Sequence, residues 1–278
     1  MGTQPPPAQK PRPSGYSYVS TPPPESPMGG RQRNVTPHQT HGPGTSGYLS
    51  TPVPAGEKPT TPERTATAPQ ITPYRVHANW RYDPSLHLER RRPLSDQLFP
   101  LAVQGCFVLG VTGLPDMREH KSRVAAEIAL ALGEARHPRV LLVEGDFQWP
   151  TVHTLMHIDM PRSSGFSQQL RSRAAGRAEH WTVMEVGPSL HVLAEGIMRS
   201  PGLILSSHFE DSLRAFRAYY DFVVVDGPLT SSEVDCRALD AVVDGIVIVA
   251  PGPGSRWLTP AMQMFPDKRF SIVVSPEG

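Results

Sequence analysis

Cysteine and long apolar runs are both scarce in this chain. Two cysteines among 278 residues cannot build a disulfide framework. Cys106 lies in a strand-like pattern and Cys236 in a helical one, where a free thiol serves as a small core residue. No apolar stretch approaches the roughly 20 residues that a membrane-spanning helix needs, and the N-terminus lacks the apolar stretch of a signal peptide. The expected location is therefore the cytoplasm. An excess of one charge is missing too. The net charge of +1 gives no global attraction to an anionic surface, and the C-terminal third offers only scattered basic residues such as Arg256, Lys268 and Arg269. A nucleic-acid partner is not expected.

The absences are sharpest before Arg75. That stretch has no Phe, Trp or Cys and almost no Leu or Ile, while it holds about half of the 32 prolines. Such a composition cannot bury enough apolar surface to offset the entropy of ordering the chain. Residues 1–75 thus read as a disordered Pro/Thr/Ser-rich tail, 76–103 as a linker with an N-terminal helical segment, and 104–278 as one α/β domain. Within the tail, Ser14-Gly15-Tyr16-Ser17-Tyr18-Val19-Ser20-Thr21-Pro22 is echoed by Ser46-Gly47-Tyr48-Leu49-Ser50-Thr51-Pro52. Two readings of this repeat stay open: docking or phosphorylation elements, or low-complexity drift.

From Cys106 onward, aliphatic runs alternate with helical patterns. Strands are expected at Cys106–Val111, Arg139–Val143, Leu190–Leu193, Phe222–Val225, Ile246–Val249 and Phe270–Val274. Helices are expected near Glu119–Arg136, Thr151–His157, Phe166–Arg173 and Leu205–Tyr219. Continuous Val/Ile/Leu strands separated by helices imply a doubly wound parallel sheet covered on both faces. The chemistry of such a sheet lies at the carboxyl ends of its strands.

The segment Val111-Thr112-Gly113-Leu114-Pro115-Asp116-Met117-Arg118-Glu119-His120-Lys121-Ser122 occupies that position after the first strand. It has the strand–loop–helix context of a phosphate-binding loop, with Lys121-Ser122 where the loop's Lys-Ser/Thr pair sits. Such loops need glycines so that backbone N–H groups can turn toward phosphates, and here only Gly113 is present. Glu144, Asp146 and Asp226 are expected just past strand ends. A single acid there is commonly a helix cap, but three acids with Lys-Ser point to a metal–phosphate site. His153 and His157 lack a third ligand and read as a surface pair. Trp149, Pro150, Val152 and Leu155 read as an apolar cluster packing the site edge or a partner.

In order and spacing these residues resemble the bacterial tyrosine kinases of polysaccharide export and, more distantly, the ParA/MinD ATPases, over roughly Asp83 to Val274. Val140-Leu141-Leu142-Val143-Glu144-Gly145-Asp146-Phe147-Gln148-Trp149-Pro150 is similar to that family's V-L-L-V-D-x-D-x-R-x-P. Tyr220 to Pro228 is similar to its Walker B segment. Leu190 to Gly196 is similar to L-x-V-L-P-A-G, and Val243 to Val249 to its V-D-G strand. The resemblance implies a P-loop NTPase-like sheet, ATP and Mg²⁺ as cofactors, and a membrane polysaccharide co-polymerase or an active tyrosine kinase of the same system as partner. It assigns Gly113, Lys121, Ser122 and Asp226 to nucleotide binding and Ser122 and Asp226 to the metal. Lys121, Glu144, Asp146 and Asp226 are assigned to catalysis.

Several positions depart from the pattern. Bulky or charged residues fill Leu114 to His120, Asp116 and Glu119 bring negative charge toward any phosphate, Glu144 replaces Asp, and Gln148 replaces Arg. The chain stops without the family's C-terminal tyrosine cluster, and the oligomerisation motif is half present as Glu89 and Arg92. Two functions remain open: a pseudokinase regulating exopolysaccharide or capsule synthesis by partner binding, recruited to the inner face of the membrane through that partner, or an active ATP-dependent tyrosine kinase of the same pathway. In the pseudokinase case, loss of the Lys121 side chain is expected to leave stability nearly unchanged.

Overall fold

The computed structural model describes residues 70–75, 83, 86–135, 138–159, 164–177, 180–195 and 199–274. Residues 1–69, with the tyrosine repeats and the expected disorder, lie outside these. The strands in chain order are β1 (Gln70–Arg75), β2 (Phe107–Gly113), β3 (Val140–Glu144), β4 (His180–Glu185), β5 (Leu190–Leu193), β6 (Phe222–Leu229), β7 (Gly245–Ala250) and β8 (Arg269–Val274). The helices are α1 (Arg92–Leu98), α2 (Arg118–Glu134), α3 (Val152–Leu155), α4 (Phe166–Ala174), α5 (Ser207–Phe216), α6 (Glu233–Val242) and α7 (Leu258–Gln263). Among the described residues no helix is long and apolar enough to cross a membrane.

One sheet joins all eight strands in the order β1-β4-β5-β3-β6-β2-β7-β8. Its pleat sends successive side chains to opposite faces, and the aliphatic runs therefore feed two cores. Phe107, Leu109, Leu142, Val224 and Val247 pack beneath α1, α2 and α3. Val108, Leu141, Val143, Val223, Val225, Ile246 and Ile248 pack with Phe166, Phe209 and Phe216 from α4 and α5. Each such side chain contributes about 1.5–3 kcal/mol when fully buried. Helix α2 is buried on almost every side from Val124 to Leu132, because α1 and α3 cover the flank that the sheet does not. That position accounts for its alanine content. A buried pair, Arg91 Nε to Glu127 Oε2 at 2.7 Å, fastens the segment before α1 onto α2.

Two features differ from the expected all-parallel domain beginning at residue 104. First, β4 is a strand that periodicity did not disclose, and it runs antiparallel to β5 while the other neighbouring pairs are parallel. A short turn joins the two, through Gly187 and Ser189, so no crossover helix announces the strand. Second, Gln70–Arg75, placed by composition in the tail, forms the edge strand β1 paired with β4. Its stability comes from backbone hydrogen bonds and one half-buried side chain, Ile71. Composition registers neither of these, and Pro73 is tolerated because the strand is an edge.

Ile71→Asp is expected to cost roughly 2 kcal/mol, by losing apolar burial and setting a charge against the Trp181 layer. The corresponding fall in Tm is about 4–8 °C for a domain of this size, read by thermal denaturation followed by circular dichroism. An unchanged Tm would mean that β1 is not part of the stable sheet.

Candidate functional site

β3, β6 and β2 lie side by side, and their register sets Val111 and Glu144 opposite Asp226. Asp226 does not end its strand as expected. β6 continues to Leu229, with an irregularity in the ladder between Val111 and Gly113, so the Asp226 carboxylate is enclosed by neighbouring strands and fully buried.

The connection from β2 to α2 folds tightly on itself. The Leu114 N–H donates to the Val249 carbonyl at 3.0 Å and the Met117 N–H to the Leu114 carbonyl at 2.8 Å. Pro115 has no N–H, and Pro115–Met117 form a single 3-10 turn. Positions 114, 115 and 117 therefore offer no N–H to an anion, whereas a phosphate cradle depends on several convergent donors. At Gly113 a Cβ would stand 3.1 Å from Lys121 Cβ and 3.3 Å from Met117 Cβ. The one loop glycine thus serves a close approach of α2 to the strand end.

Lys121, Ser122, Asp146 and Asp226 come together, as the sequence predicts. Lys121 Nζ donates to Asp226 Oδ1 at 2.6 Å and stands 3.3 Å from Asp146 Oδ2. The Ser122 hydroxyl donates to Asp226 Oδ2 at 2.7 Å, and Asp146 Oδ1 accepts the Trp149 N–H at 3.0 Å. All four side chains are buried. Burial opposes the ammonium, but the charges of Asp226 and Asp146 outweigh it and hold Lys121 above the ordinary lysine range. The donor types, a serine hydroxyl and hard carboxylate oxygens, are those Mg²⁺ prefers. Their arrangement does not fit the ion, because both Asp226 oxygens are engaged and the lysine ammonium already sits among the carboxylates. Among the described residues no group of three or more His, Cys, Asp or Glu is placed to hold a metal.

Glu144 does not join this cluster. Its carboxylate accepts the N–H groups of Thr151, of Val152 at 2.6 Å and of Glu195 at 2.7 Å, so it caps α3 and pins the loop after β5. β3 ends at Glu144, and the chain leaves the strand through Gly145, whose N–H is bonded to the Asp226 carbonyl, so the strand's pleat does not set where the Asp146 side chain goes. Burial pushes the Glu144 carboxyl up to about 8, against the opposing effect of its three backbone donors. The catalytic role that the resemblance assigns to Glu144 is not supported by this position.

Sequence reading missed Glu195, although a charged residue where the similar motif has alanine was a visible signal. It is buried, and its oxygens accept the Ser167 N–H at 2.6 Å and the Ser200 hydroxyl at 3.2 Å. It also missed two arginines. Trp149 lies under the guanidiniums of both Arg118 and Arg199, each 4.1 Å from the ring centroid. Elsewhere, Glu89 and Arg92 pair with each other at 3.1 Å on the surface. Cys106 and Cys236 are free, and burial pushes both thiols up to about 12.

A mostly parallel sheet whose strand β2 leads into α2, with Lys121-Ser122 in the first turns of that helix beside the acid of β6, has a P-loop NTPase-like fold. Over about half its length the chain is similar to bacterial tyrosine-protein kinases. It is 28% identical to CapB of Staphylococcus aureus over 136 residues, 46% of this chain and 55% of that protein. It is 30% identical to YwqD of Bacillus subtilis over 141 residues, 47% of this chain and 54% of that protein. Both bear the name tyrosine-protein kinase, and the chain spans about half the length of these curated relatives. The VpsO kinase domain is similar in fold, with a TM-score of 0.55 and 21% identity over 68% of this chain and 93% of that one. No family model matches the chain.

Two outcomes follow from the buried charges. Lys121→Ala is expected to destabilise the fold by about 3–5 kcal/mol, because it leaves buried carboxylates without their cation. This reverses the expectation that the substitution is silent. Urea denaturation measures it, and adding Asp226→Asn should recover part of the loss. For Glu144, the folded-state value is raised above its ordinary 4.5 to about 8. Its stabilising contribution is complete below about 4.5 and declines as pH rises toward 8. Denaturation at pH 5, 6, 7 and 8 should show this decline in the wild type, and Glu144→Gln should flatten it. Parallel pH profiles for the two proteins would exclude the assignment.

Proposed function

We propose that this chain is a tyrosine-kinase-like binding module whose phosphate site is closed. In this reading it regulates capsule or exopolysaccharide production by docking on a membrane polysaccharide co-polymerase or on an active tyrosine kinase of the same system. Recruitment to the inner face of the cell membrane would run through that partner. One observation carries the reading: the Lys121 ammonium lies 2.6 Å from Asp226 Oδ1 and 3.3 Å from Asp146 Oδ2, fully buried. Phosphoryl transfer needs that positive charge on the nucleotide's phosphates and the serine and acid on Mg²⁺. Here each group is already matched to another. The tight turn at Pro115–Met117 supports the same reading.

The second reading, an active kinase with ATP and Mg²⁺, draws support from the convergence of Lys121, Ser122, Asp146 and Asp226. When bound, Mg-ATP would supply the transferable phosphoryl group. For this chain to hold it, the Lys121 side chain would have to leave its carboxylates and the Leu114–Met117 turn would have to open. Thermal denaturation with millimolar Mg-ATP separates the readings, since stabilisation scales as RT ln(1 + [L]/Kd). A closed site predicts no shift and no transfer of the γ-phosphoryl group to protein. A saturable rise in Tm that Ser122→Ala removes would overturn the closed site, and transfer of the γ-phosphoryl group to protein tyrosine alongside it would establish the kinase reading.

A further inference from the structure

Arg118, Trp149 and Arg199 form a layered stack at the carboxyl ends of the strands, drawn from the first residue of α2 and the segments after β3 and β5. Both guanidinium carbons stand 4.1 Å from one ring centroid. Mutual repulsion favours one cation on each face of the indole, an arrangement that sets them about 8 Å apart. A guanidinium that stacks by its face keeps its N–H edge for an anion. Among the described residues, no carboxylate pairs with either arginine, and the Arg118 Nε–H is buried without a partner. The N-terminus of α2 has no side-chain cap and adds partial positive charge. Asp116 before α2 and Glu119 in its first turn oppose this field, so attraction for an anion has to come from direct paired contacts with the two guanidiniums.

We propose that this stack binds phosphotyrosine, and that its ligand is the segment Ser14–Pro22 phosphorylated on both Tyr16 and Tyr18. In an extended chain, side chains two residues apart lie on the same face at a spacing of roughly 7 Å. Phosphates on Tyr16 and Tyr18 thus match two guanidiniums about 8 Å apart, with each arginine engaging one phosphate through paired N–H donors. The phosphates come from an active tyrosine kinase. The tyrosine oxygen bonds to the γ-phosphorus of ATP, the β–γ bridging P–O bond breaks, ADP leaves, and the phenolic proton passes to solvent. The site goes beyond the reading of a closed phosphate loop, because it needs no bound nucleotide. It makes the chain a reader of its own tail, or of a second copy's.

The test titrates the full, unphosphorylated chain with fluorescently labelled Ser14–Pro22 peptides carrying no phosphate, one phosphate on Tyr16 or Tyr18, or both. The doubly phosphorylated peptide is expected to bind at least about tenfold tighter than either single form, the unphosphorylated one not to bind, and affinity to fall steeply with salt. Arg118→Ala and Arg199→Ala should each weaken binding by at least about tenfold while Mg-ATP leaves it unchanged. Should an alanine variant lose its thermal transition, the Arg118→Lys/Arg199→Lys chain decides. It keeps the charge without the paired donors and is expected to bind at least about tenfold more weakly. Equal affinity for all four peptides, wild-type affinity in the variants, or displacement by inorganic phosphate at the peptide's own concentration would each overturn the proposal.

Discussion

A single buried ammonium organises the centre of this protein. Lys121 brings a positive charge to a point where two strands deliver Asp226 and Asp146, and neither acid could be buried there without it. Ser122 completes the hydrogen bonding of Asp226. The entry of α2, the tight turn before it and the extension of β6 to Leu229 all follow from bringing these groups into contact. Charges buried in this way contribute little net stability when matched, but removal of one partner is expensive. The site is therefore both the keystone of the strand ends and the place where the fold is least tolerant of change.

A second set of buried carboxylates performs a different task nearby. Glu144 and Glu195 bond almost wholly to backbone N–H groups and a serine hydroxyl. They tie together the loops after β3 and β5 and the start of α4. Gly165 enters the same arrangement, since a Cβ there would fall 2.3 Å from the Glu195 carbonyl oxygen. The sheet's other end is held by a separate device, the bidentate Arg217–Asp244 pair, whose Asp244 also accepts the Val108 N–H. The aspartate of the V-D-G segment is thus a structural anchor at the entry of β2.

Similarity to bacterial tyrosine-protein kinases in sequence and the local geometry of the strand ends are separate matters in this chain. The acids and the Lys-Ser pair persist, while the loop that would present backbone donors to phosphate has bulky residues and internal hydrogen bonds in their place. Loop glycines act through backbone freedom and the absence of a Cβ, and Leu114, Asp116 and Met117 remove both. What the loop gains is Arg118 at the head of α2, stacked on the indole of Trp149. Positive charge thus occurs twice at these strand ends, buried on Lys121 and nearer the surface on Arg118 and Arg199.

The α/β class, the aliphatic strands β2, β3, β6 and β7 and the convergence of Lys121, Ser122, Asp146 and Asp226 were legible in the sequence. Hydrophobic runs and motif spacing are local properties, and the rule that chemistry gathers at parallel strand ends carries them into space. β1 and β4 were not legible, because an edge strand and a strand reached by a short turn depend on backbone pairing with partners far away in sequence. Nor was the separation of Glu144 from Asp146, which share one motif but serve different neighbours once Gly145 has bonded to β6. The sequence by itself determined that Lys121, Ser122, Asp146 and Asp226 meet at the carboxyl ends of the sheet. Only the tertiary structure decided that Lys121 faces Asp226 and Asp146 and that two arginines share one tryptophan. Burial and pairing geometry depend on what surrounds a residue, and those surroundings come from segments scattered along the chain.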